Sequence, residues 1–186
     1  MSAIQFDQTD VQYYKDMLKN ELNTYVLLLD LKDNGVTGAS KVNLDAYWES
    51  AINSYKSTIG YECKTQCGSC CLVCSSCWAS YALCMVTDRR TKDLRFNKND
   101  TKTFLTNQEL KSRAFTREQL ESMKNRAMVA LESNDMGKIM KEAEELDLLE
   151  RRQTAGGQMM QSIPTQMGGI PMGGIPMQMG ANEINR

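Results

Sequence analysis

The sequence predicts an all-α protein, an irregular bundle of four or five helices, and three observations predict it. Apolar residues recur at three- and four-residue steps in several separate stretches. Two Thr-x-x-Glu/Gln patterns, Thr106–Glu109 and Thr116–Gln119, have the form of helix-capping boxes. The cysteines themselves fall at heptad spacing.

The N-terminal part, 1–42, reads as one amphipathic helix and a loop. Val11, Tyr14, Leu18, Leu22, Tyr25 and Leu29 form one face from about Thr9 to Lys32, with Thr9 or Asp10 as the cap. The run Val26-Leu27-Leu28-Leu29 widens that face, so the helix is expected to pack on two sides. Asp33-Asn34-Gly35 supplies a stop, because these residues tolerate positive φ. A second helix is expected to begin near Asn43, with Leu44, Trp48, Ala51, Ile52, Tyr55 and Ile59 at helical spacing.

Residues 43–88 combine this second helix with a cysteine-rich one. All seven cysteines lie between Cys63 and Cys84. Without Cys71, the series Cys63, Cys67, Cys70, Cys74, Cys77, Tyr81 and Cys84 is an unbroken seam of heptad a and d positions. It extends backward through Ile59, Tyr55, Ile52 and Trp48. Three readings follow. The thiols can be small buried hydrophobes of a helix seam. They can hold a metal, because Cys67-x2-Cys70 and Cys74-x2-Cys77 are two CxxC pairs suited to zinc or an iron–sulfur cluster. The three residues between the pairs are, however, short for a tetrahedral site. They can also attach the chain to a membrane. No charged residue occurs from Thr65 to Thr87, the length of a bilayer span, and Cys70, Cys71, Cys74 and Cys77 are candidates for S-acylation beside basic residues.

Residues 89–116 form a basic connector, and 89–102 carry four net positive charges. Leu94-Arg95-Phe96 and Thr103-Phe104-Leu105 flank Asn97-Lys98-Asn99-Asp100, a pattern that predicts a short β-hairpin insertion. Phe96 and Phe104 among basic residues also raise single-stranded nucleic acid as a ligand, against the plainer reading of a solvated loop. Residues 117–152 read as a helical hairpin. Leu120, Met123, Ala127 and Leu131 lie on one helix; Met136, Ile139, Met140, Ala143 and Leu146 lie on the next; Ser133-Asn134-Asp135 stands between them. The tail, 153–186, is of low complexity. Met-Gly-Gly-Ile-Pro occurs twice, and six methionines stand between Met159 and Met179 without a charge among them.

Composition excludes several chemistries. The chain has 186 residues, a formal net charge of -1 and no histidine, so Ser-His and Cys-His pairs, His-ligated zinc and histidine switches are ruled out. Walker A and GxGxxG motifs are missing, and Glu144, Glu145 and Asp147 lack the pocket signal that an acid–base pair needs. The N-terminus shows no signal-peptide pattern, and the clustered thiols suit a reducing intracellular compartment.

The expectation is therefore a non-catalytic structural or adaptor subunit of a larger protein assembly. It would dock through helical faces and an extended tail, with Met167, Met172, Met177 and Met179 as partner contacts. Other proteins of that assembly are the expected partners. Nucleic acid and small-molecule substrates are not expected, nor is a cofactor. A membrane-attached protein held by Cys63–Cys84 is the alternative. A zinc or iron–sulfur protein using Cys67, Cys70, Cys74 and Cys77 is the second.

Overall fold

A computed structural model describes residues 5–67 and 91–161. All regular structure among the described residues is helical. The helices are α1 (Gln8–Gly38), α2 (Lys41–Cys67), α3 (residues 91–99), α4 (Thr101–Ser112), α5 (Arg117–Ser133) and α6 (Met136–Gln161).

The longest of them, α1, is the shared spine. Asp7 caps it, one turn ahead of the expected Thr9 or Asp10. Its carboxylate accepts the Asp10 N–H while the Asp10 carboxylate accepts the Asp7 N–H, closing a capping box. Helical geometry breaks at Gly35, whose φ of 71° only glycine adopts without strain. The four-leucine stretch packs on two sides. Leu28 and Leu29 join Tyr14, Leu18 and Tyr25 in a cluster with Phe115 and the buried faces of α5 and α6. Leu27 and Leu31 face the other way, into a cluster with Leu44 and Trp48 of α2 and Leu105 of α4.

Turn chemistry fixes the connections. The buried Asp30 carboxylate accepts hydrogen bonds from Asn34 Nδ2, the Ser40 N–H and Asn43 Nδ2 at 2.7, 2.7 and 3.1 Å, tying the end of α1 to the start of α2. Burial alone would raise its pKa; these three donors together hold it below the usual carboxylate value. Thr116 and Gln119 form the capping box that opens α5. Asn134, at φ 52°, turns the chain in the left-handed region, and Asp135 then caps α6 by accepting the N–H groups of Gly137 and Lys138.

Two sequence expectations fail here. The β-hairpin over 94–105 is instead a pair of helices meeting at Asp100. This residue, which looked like part of a turn, acts as the N-cap of α4 by accepting the Thr103 N–H. Leu94, Phe104 and Leu105 all pack on the Leu27–Trp48 cluster, and that burial selects the helical spacing. The Thr106–Glu109 pattern caps nothing: Thr106 lies inside α4 and its hydroxyl donates to the Lys102 carbonyl. Helix α6 also continues beyond 152, to Gln161, with Gln153 Nε2 donating to the Ala114 carbonyl at 3.0 Å.

Candidate functional site

The groups with the most perturbed chemistry lie on the α5–α6 side of α1. Glu21 and Tyr25, one helical turn apart, project into the apolar cluster that Leu18 and Leu28 help to line. Glu21 is 6% exposed, and both of its carboxylate oxygens and the Tyr25 hydroxyl are without a hydrogen-bond partner among the described residues. Burial, reinforced by the negative charges of Glu150, Asp147 and Glu142, pushes the Glu21 carboxyl up to about 9. At neutral pH it is thus an uncharged acid. The Tyr25 phenol is raised by burial first and by Glu21, Glu150 and Asp147 next, against the opposing charge of Arg126. Arg126 is itself clamped from α5 onto α6, with Nε donating to Glu142 at 2.8 Å and Nη2 to Glu145 at 2.9 Å. These bonds, that to Glu142 foremost, raise its pKa further. A buried polar group left unpaired costs about 1–3 kcal/mol. No signal in the sequence separates Glu21 from an ordinary surface glutamate: it becomes visible only once α1 is seen buried on both sides.

The α2 side of α1 is built differently. Asp16, Asn20, Asn23, Leu27 and Asn34 follow three- and four-residue steps or their multiples along α1, and the helix facing them offers Ala46, Ser50, Asn53 and Ser57. The Asp16 carboxylate accepts from Gln12 Nε2 at 2.6 Å and from the Ser57 hydroxyl. The Ser50 hydroxyl contacts Asn20 Oδ1 at 3.2 Å, and Asn23 Nδ2 donates to the Ala46 carbonyl at 3.4 Å. A polar cleft of about 190 Å³ opens between the helices, lined by Asp16, Lys19, Asn23, Glu49, Ser50 and Asn53. The apolar seam read from Trp48 to Ile59 therefore does not run along α1 as one face: Trp48 packs with Leu27 and Leu31 of α1 and against Phe104 of α4, whereas Tyr55 is 39% exposed. The polar spacing of Asp16, Asn20 and Asn23 was the signal for the polar part of the contact, outweighed in the sequence by the more conspicuous apolar series.

Three tyrosines anchor the approach to the cysteine segment. Tyr13 of α1 and Tyr61 of α2 stack with ring centres 4.0 Å apart and planes 9° from parallel, and Tyr14 meets both edge-on. The Tyr14 hydroxyl donates to Glu144 of α6 at 3.3 Å. Tyr13 and Tyr61 cover each other's facing sides and Tyr14 reaches Glu144, so the trio is a packing clamp joining α1, α2 and α6. It fixes the chain two residues before Cys63. On the far side of the cysteine segment, Leu94 packs at the other half of α1, beside Leu27 and Leu31.

Cys67 is the last residue of α2. Its partners in the predicted metal set, Cys70, Cys74 and Cys77, the acylation candidate Cys71, and the tail residues Met167, Met172, Met177 and Met179 all lie outside the described residues. Among the described residues, no group of three or more acidic or cysteine side chains is placed to hold a metal ion, and no helix is long and apolar enough to cross a membrane. Phe104, one of the two aromatics considered for base stacking, is half-buried against Tyr47 and Trp48, with ring centres 5.3 and 4.6 Å away. Phe96 stands 72% exposed. No family model, curated protein or solved structure matches this chain.

Proposed function

We propose that this chain is a non-catalytic structural or adaptor subunit of a larger protein assembly, which it enters through the outer face of α6 and the Met-rich tail that follows. The observation that carries the reading is the exposure of Leu148, at 51%, opposite the wholly buried Ile139, Ala143 and Leu146, and of Leu149, at 39%, at the edge of that buried side. On the outer side Leu148 stands among the exposed Glu144, Glu145, Arg151 and Arg152. The buried side packs on α1 and α5, and in sequence the helix leads into an uncharged segment carrying Met167, Met172, Met177 and Met179. Methionine adapts to irregular apolar grooves, so a tail of this composition extends the contact beyond the helix.

The test uses native extracts of the source cell. The full chain is compared with one ending at Gln161, which keeps the Gln153 bond to Ala114 intact, and with the double variant Leu148→Asp, Leu149→Asp. Each change is expected to lower recovery in the native assembly by roughly tenfold, the effect of losing anchoring side chains from an interface. Recovery equal to that of the unaltered chain for both variants would overturn the reading.

A further inference from the structure

We infer that α3 presents a basic, aromatic-tipped face to an anionic lipid surface. The local geometry starts from Leu94. This side chain packs inward on the cluster of Leu27, Leu31 and Trp48, and so fixes the rotation of the helix. Phe96, two positions on, is carried to nearly the opposite side and stands 72% exposed. Lys92, one turn before it, and Asp93, Arg95 and Asn99 around it are exposed as well; Lys98, two positions past Phe96, is exposed on the other side of the helix, and exposed Lys102 belongs to α4. The only acids in this stretch are Asp93 and Asp100, and Asp100 is committed to the Thr103 N–H as the cap of α4. The chain as a whole has a formal net charge of -1, so this excess of cations is local to the stretch 92–102.

Charge complementarity requires an anionic partner, and two features favour lipid over nucleic acid. Stacking platforms for single strands use successive aromatic rings. Here the second ring, Phe104, is turned inward onto Tyr47 and Trp48. A lone phenylalanine flanked by Lys92 and Arg95 instead matches the interfacial pattern in which an apolar tip enters the headgroup region while the cations meet anionic lipids. The sequence just before α3 points the same way: Thr65 to Thr87 carries no charge, and Asp88 is followed by Arg89, Arg90 and Lys92. This proposal is independent of the protein–protein contact assigned to α6.

The full chain is sedimented with vesicles of phosphatidylcholine alone and of phosphatidylcholine with one quarter phosphatidylserine. Binding is expected only to the anionic vesicles, weakening with salt. Lys92→Ala and Arg95→Ala should each reduce it about fivefold, and Phe96→Ser should reduce it at equal salt. All three side chains are exposed, so the variants keep the fold; unchanged circular dichroism verifies this. Equal partition to both vesicle types, or anionic binding that none of the three changes weakens, refutes the assignment. So does binding to a single-stranded oligonucleotide at the same salt that is tighter than to the anionic vesicles and is lost in the same variants.

Discussion

The two sides of α1 bury acidic groups to the same depth and treat them in opposite ways. Asp16, facing α2, is 7% exposed; Glu21, facing the α5–α6 pair, is 6% exposed. Asp16 receives Gln12 and Ser57, whereas the Glu21 oxygens receive nothing among the described residues and look toward Glu142, Asp147 and Glu150. At equal burial, the donors around a carboxylate decide how much of its cost is offset. The α2 side resembles a hydrogen-bonded polar seam. The hairpin side is an apolar core holding one acid in its neutral form.

The pH dependence breaks this comparison most sharply. Below the ordinary glutamate value of 4.5 the folded and unfolded chains both hold the Glu21 proton; above it the unfolded chain releases the proton while the folded chain keeps it until about 9. The raised value thus makes stability fall as pH rises through that window, by about 1.4 kcal/mol per pH unit. Glu21→Gln removes this component, so urea titrations should show the variant gaining on the unaltered chain steadily from acid to alkaline pH. A constant gap would place a charged, paired Glu21 in the core.

The next largest effects come from the two apolar clusters. Leu27→Ala and Leu28→Ala each remove a fully buried side chain and should cost about 2–5 kcal/mol. Hydrogen exchange should separate them, because Leu27 supports α2 and α4 while Leu28 supports α5 and α6. On the polar side, Asp16→Ala leaves Gln12 and Ser57 without their shared acceptor and should cost about 1.5–3 kcal/mol. A double-mutant cycle with Ser57→Ala should return a coupling of about 1 kcal/mol or more, and additivity of the two changes would dissolve the seam as a unit. The exposed Lys41–Asp45 pair, 3.7 Å apart, marks the lower end: Lys41→Ala should change stability by no more than about 0.5 kcal/mol in urea denaturation.

What could be read in the sequence was local and periodic. The all-α class, the Thr116–Gln119 capping box, the break at Gly35 and the two-sided burial of the Leu27–Leu29 stretch each follow from a few neighbouring residues. The failures share one physical cause. Asn97–Asp100 suits a turn or a cap equally well, and only the packing of Leu94, Phe104 and Leu105 on Trp48 decides for helix. Ser50 and Ser57 become contact residues because Asn20 and Asp16 stand opposite them, a pairing that periodicity within α2 cannot reveal. Glu21 is invisible for the same reason: its raised value comes from burial in the assembled core, reinforced by carboxylates more than a hundred residues away on α6.

The claim that α6 is a docking helix is tested most directly by hydroxyl-radical footprinting of Leu148 and Leu149, once on the isolated chain and once within the native assembly. Both side chains should oxidise readily in isolation, as their exposure requires, and be protected in the assembly, while exposed Val42 on α2 oxidises equally in both. Equal oxidation of Leu148 and Leu149 in the two states would contradict the account.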